Sequence, residues 1–105
     1  MRPAEVPPVG RRRARDDVRQ RIRELWKSER VVSTDHAVER FLESGLSYAD
    51  VWNVLKHGTI FKIDVPFKLT RYHFRGRSRH GQSVICPVEI DGDELIIVTV
   101  FLEEC

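Results

Sequence analysis

The chain has 105 residues, 41% of them hydrophobic and 32% charged, with a formal net charge of +2. That is enough chain for one small domain with a modest core. It holds no run of about 18 apolar residues that could cross a membrane as a helix, and its two cysteines, Cys86 and Cys105, form neither a Cys-x-x-Cys pair nor a disulfide framework.

Residues 1–13 read as a disordered basic tail ahead of a single α+β domain over 14–105. Three of the five prolines fall in residues 1–10, and no apolar stretch of the signal-peptide kind is present, so the expected compartment is the cytoplasm. Arg11-Arg12-Arg13-Ala14-Arg15 reads either as a solvated, arginine-rich helix start or as an RNA-contacting arm. Residues 14–29 are expected to be helical, because Val18, Ile22, Leu25 and Trp26 recur at i, i+4, i+7 and i+8 and form one apolar stripe.

A second helix is expected from Ser33 or Thr34, both good N-caps, with Asp35 at the positive end of the dipole. Ala37, Val38, Phe41 and Leu42 are its expected buried side, and Gly45 can end it in the left-handed conformation. A third helix starts at Ser47, with Asp50 completing a capping-box pattern. It turns Val51, Trp52 and Leu55 inward and stops at Gly58.

Beyond Gly58 the pattern changes to strands at 59–65, 68–75, 82–90 and 94–102, with Asp91-Gly92 a hairpin signal between the last two. Pro87 inside the third strand implies a bulge or a break in the ladder. Helices first and roughly four antiparallel strands after them give an α+β fold.

Charge is unevenly spread. Residues 1–30 carry ten Arg or Lys against five Asp or Glu, or +5; residues 31–105 carry eight against eleven, or −3. Within the second part, residues 65–88 contain no acid at all but hold Lys68, Arg71, Arg75, Arg77 and Arg79, together with His73 and His80. On a strand, Arg71, His73 and Arg75 share one face while Tyr72 and Phe74 take the other. The expected result is a positive platform. Guanidinium groups bind phosphate through planar forks, and nearby aromatic rings stack unpaired bases. The same pattern also suits an acidic partner protein or an ordinary solvated face. His36 and Arg40 form a second pair at i, i+4 on the second helix, where an imidazole near the helix start is either a general base or a structural group. Phosphate-binding loops, zinc motifs and serine-hydrolase elbows are absent. Acids are scarce where bases are dense, so no metal and no cofactor are expected.

The run Ser33-Thr34-Asp35-His36-Ala37-Val38-Glu39-Arg40-Phe41, then Gly45-Leu46-Ser47 and Asp50-Val51, and finally Leu95-Ile96-Ile97-Val98-Thr99-Val100 resembles the bacterial domain of unknown function 4258 family. The likeness covers about residues 31–102; Ser44 stands where that family often has Arg. The resemblance implies, by fold analogy, RelE-, HigB- and MqsR-type toxins and barnase-like ribonucleases. It further implies metal-independent cleavage of RNA, including ribosome-associated mRNA, under control of an acidic antitoxin protein. On that reading His36, Arg40, Arg71, His73 and Arg75 are the expected catalytic group, and Lys68, Tyr72, Arg77, Arg79 and His80 the expected RNA contacts. The other readings of the same residues are a nucleic-acid-binding module without catalysis and a protein-interaction module.

Overall fold

The computed structural model describes residues 7–65 and 68–103, with side chains described from Arg15 onward. Its elements in chain order are α1 (Pro7–Lys27), β1 (Val31–Ser33), α2 (Asp35–Ser44), α3 (Tyr48–His57), β2 (Thr59–Asp64), β3 (Arg71–Arg77), β4 (Ser83–Asp91), β5 (Glu94–Ile97) and β6 (Phe101–Leu102). Of the tail expected over 1–13, residues 1–6 lie outside the described residues and 7–13 already belong to α1. Proline is tolerated in a first helical turn, where its missing N–H would have no partner.

The helix ends follow their local chemistry. Thr34 caps α2 by accepting from the Ala37 N–H, and Gly45 closes it at φ 75°. Ser47 and Asp50 form the capping box of α3. Ile22 and Leu25 of α1 are buried, with Val18 and Trp26 packed against them, so the predicted stripe seats α1 on the core. The α2 expectation needs correction. Ala37 is buried, but Val38 is 45% and Leu42 81% exposed, because α2 lies along β1 and β6 at the sheet margin and has only a narrow inward stripe.

The strands form one sheet in the order β1-β5-β4-β3-β2, with β6 beside β4. All pairs are antiparallel except β1 with β5, which is parallel. The sheet is therefore mixed and wider than the expected four strands. The three-residue β1 was too short to leave a periodic signal. The predicted strand 94–102 divides in two at Pro87. Pairing of β4 with β5 ends at Val88–Ile97 and resumes with β6 at Ile85–Phe101. Two residues of β4 thus face three of the other segment, and proline has no N–H to keep the ladder regular.

α1 and α3 cover one face of the sheet. Phe74, Val84, Cys86, Val88, Leu95 and Ile97 are fully buried beneath them. Gly58 and Gly76 set the closeness of α3 to β3. A Cβ on Gly76 would lie 3.1 Å from the Gly58 Cα and 3.2 Å from the Val54 Cα, so glycine lets the two backbones touch. Arginines of α1 bind backbone carbonyls of the body: Arg15 binds Ile60 O at 3.3 Å, Arg19 binds Lys56 O at 3.0 Å, and Arg21 binds Gly92 O at 3.2 Å. Among the described residues, no helix is long and apolar enough to cross a membrane.

Candidate nucleic-acid interface

β3 turns its basic residues to the face of the sheet away from α1 and α3, the open face. Phe74 is buried on the helix side, so Arg71, His73, Arg75 and Arg77 stand on the open side, as the alternation predicts. Their neighbours on β2 are set by a bulge. Thr59 pairs with Arg75 and Ile60 with Phe74, but Lys62 then pairs with His73 and Asp64 with Arg71. Phe61 is the extra residue. This shift keeps Ile60 and Ile63 on the helix side and brings Lys62 and Asp64 to the open face.

His73 sits at the middle of this face. Its Nε2 lies 2.9 Å from an Asp64 carboxylate oxygen, and its ring meets Phe61 edge-on with centroids 6.0 Å apart. Among the described residues, Nδ1 has no hydrogen-bond partner. If Nε2 carries the proton that binds Asp64, Nδ1 presents a lone pair to the open side. Arg71 and Arg75 flank His73 two residues away in each direction, about 7 Å along the strand. The Arg75 guanidinium carbon lies 4.3 Å from the centre of the Phe61 ring, a cation–π contact of about 0.5–1 kcal/mol.

The expected positive platform is corrected by the carboxylates around it. Arg71 pairs with Glu89 at 2.8 Å, Arg75 with Glu103 at 2.9 Å, and Lys62 with Asp64 at 3.7 Å. Three cations are met by three acids. The acid-free stretch 65–88 concealed this, because its partners come from β2, from the end of β4 and from the chain end, outside the stretch itself.

The other sequence-derived residues are distributed as follows. His36 is exposed near the start of α2. Arg40 pairs with Glu43 at 3.1 Å. Both belong to α2, which packs on β1 and β6, and β4 lies between β6 and β3. The five expected catalytic residues therefore divide into a β3 trio and an α2 pair. Tyr72 points to the helix side, away from His73, so this expected RNA contact does not share the open face with the β3 trio. Lys68 and His80 are exposed in loops, and Arg77 donates to Gly81 O at 3.1 Å.

Arg79 has a structural bond. Its N–H and its Nε donate to one oxygen of the buried Asp50, at 3.0 and 3.2 Å. The other Asp50 oxygen accepts from the Ser47 N–H and hydroxyl at 3.0 and 3.1 Å. Burial alone would raise the Asp50 pKa. The bonds from Arg79 and Ser47 outweigh it and bring the group from 3.8 down to about 2. The loop after β3 is thereby tied to the start of α3. Burial also pushes the Cys86 thiol up to about 12.

Asp64, Phe61, Glu89 and Glu103 were not singled out from sequence. Asp64 could have been, as the last acid before the basic stretch on a strand expected to pair with 68–75. Phe61 could not, because its place depends on the bulge. Among the described residues, no three His, Cys, Asp or Glu side chains gather as a metal site.

A family model described as a domain of unknown function (DUF4258) matches residues 33–102. No curated protein and no solved structure matches the chain.

Proposed function

The chain belongs to the DUF4258 family, and from that premise we propose that it is a metal-independent endoribonuclease acting on the open face of β3. The observation that carries this reading is the His73–Asp64 pair at 2.9 Å, set between Arg71 and Arg75, with the His73 side chain 16% exposed and its Nδ1 without a hydrogen-bond partner among the described residues. A phosphodiester laid across His73 meets a guanidinium on each side. Nδ1 accepts the proton of the RNA 2′-hydroxyl, and the 2′-oxygen attacks the adjacent phosphorus. The bond from phosphorus to the 5′-oxygen breaks, and that oxygen takes a proton from solvent. The products are a 2′,3′-cyclic phosphate and a 5′-hydroxyl. Arg71 and Arg75 stabilise the charge that grows on the phosphoryl oxygens, while Asp64 orients the imidazole.

A toxin's role, restrained by an acidic antitoxin protein, is part of this proposal and rests on the resemblance read from sequence. The pairing of Arg71 with Glu89 and of Arg75 with Glu103 favours a second reading, a non-catalytic interaction module whose arginines are already satisfied.

The test is cleavage of mixed-sequence RNA in EDTA, with and without ribosomes, followed by analysis of the product ends. Cyclic phosphate ends that disappear in His73→Ala, with a loss of about 100-fold or more, support the ribonuclease. An unchanged rate in both His73→Ala and Asp64→Asn sinks it. If His36→Ala alone abolishes cleavage, the base lies on α2 and not on β3.

A further inference from the structure

A cavity of about 550 Å³ opens between α1 and the β2–β3 pair. Pockets that bind small ligands run from about 300 to 1,000 Å³. Its lining includes Phe61, Tyr72 and Ile63, with Arg15, Lys62 and Thr70 as the polar residues. No acid lines it. Arg15 spends one nitrogen on Ile60 O at 3.3 Å, and Lys62 lies 3.7 Å from Asp64.

Phe61 joins this cavity to the candidate site. As the bulged residue of the edge strand β2, it lines the cavity, and its ring meets His73 edge-on and the Arg75 guanidinium at 4.3 Å. Resting on the ribonuclease reading above, we propose that the cavity is a base subsite: it takes an unpaired nucleobase of the nucleotide next to the phosphate held over His73. The substrate is then single-stranded RNA.

Three observations support that occupant. Aromatic walls suit the flat faces of a base, and stacking of this kind accepts every base. The hydroxyls of Thr70 and Tyr72 can each donate or accept at a base edge. Arg15 and Lys62 are two cations among its lining residues, and the neighbouring phosphates of a strand carry the opposite charge. Duplex RNA does not fit this arrangement, because its bases are stacked and paired and cannot leave the helix without a cost of a few kcal/mol.

The test uses the full chain and a short single-stranded oligoribonucleotide, 2′-O-methylated so that it binds without being cut. An abasic residue is placed at each position in turn. The expected profile is a loss of affinity of about 5- to 100-fold at one position, with little change elsewhere. That penalty disappears in Phe61→Ala and persists in Phe61→Tyr. A flat abasic profile, with His73-dependent cleavage intact, overturns the subsite and leaves the ribonuclease standing. Absence of binding to any oligonucleotide at low salt overturns both. A flat profile with uptake of an acidic Glu/Leu peptide, lost in Phe61→Ala, makes the cavity a protein-docking groove instead.

Discussion

Replacing Asp50 with asparagine should destabilise the fold and alter its response to acid. Asp50 is 3% exposed, and its carboxylate accepts four hydrogen bonds, from the N–H and hydroxyl of Ser47 and from the N–H and Nε of Arg79. The fall of its pKa from 3.8 to about 2 is worth about 2 kcal/mol at 1.36 kcal/mol per pH unit. Asparagine keeps one acceptor but turns an amide N–H₂ toward a donor at Ser47, so the total cost at neutral pH is about 2–3 kcal/mol. For a domain of this size, that is a drop of roughly 8–15 °C in Tm. The native pKa is depressed, so the carboxylate's contribution is complete above 3.8 and is lost as the pH falls toward 2. Urea unfolding of the wild type and Asp50→Asn, repeated from pH 7 to pH 2.5, should give a gap that is constant above about pH 5 and closes below 3.8. A gap that does not change with pH, or one below about 0.5 kcal/mol at pH 7, would refute the account of Asp50 as the tie between the β3–β4 loop and α3.

Other consequences can be checked separately. In Gly58→Ala the new methyl would press on the carbonyl oxygens of Arg75 and Val54, backbone atoms that cannot turn aside, so thermal melting should show a loss of about 1–3 kcal/mol or more. Cys86 is fully buried with a thiol near pKa 12, so in a Cys105→Ser background Ellman's reagent at pH 8 should react only after denaturation; rapid labelling of the native protein would contradict the packing. Glu89→Gln and Glu103→Gln together free Arg71 and Arg75. Binding to single-stranded RNA should tighten, and its salt dependence should steepen by about 1.4 in log K against log[salt]. An unchanged slope would mean that these arginines do not reach phosphate.

Local chemistry was legible in the sequence wherever a few neighbouring residues decide the outcome. Thr34, Gly45 and the Ser47–Asp50 box mark helix ends because a side chain and a backbone N–H three residues apart satisfy each other without help from the rest of the chain. The stripe Val18–Ile22–Leu25–Trp26 and the alternation of Arg71, His73 and Arg75 with Tyr72 and Phe74 follow from the helical and strand periods alone. The break at Pro87 follows from a missing N–H.

What needed the tertiary structure was pairing across the chain. The short β1 exists because β5 offers it a parallel edge, not through any pattern of its own. The bulge at Phe61 decides that Asp64 meets His73 and that Lys62 faces outward, because one inserted residue exchanges the two faces of a strand. Glu89 and Glu103 neutralise arginines 18 and 28 residues away in sequence. A local count of charge in 65–88 could not register them, since electrostatic balance depends on distance in space and not along the chain.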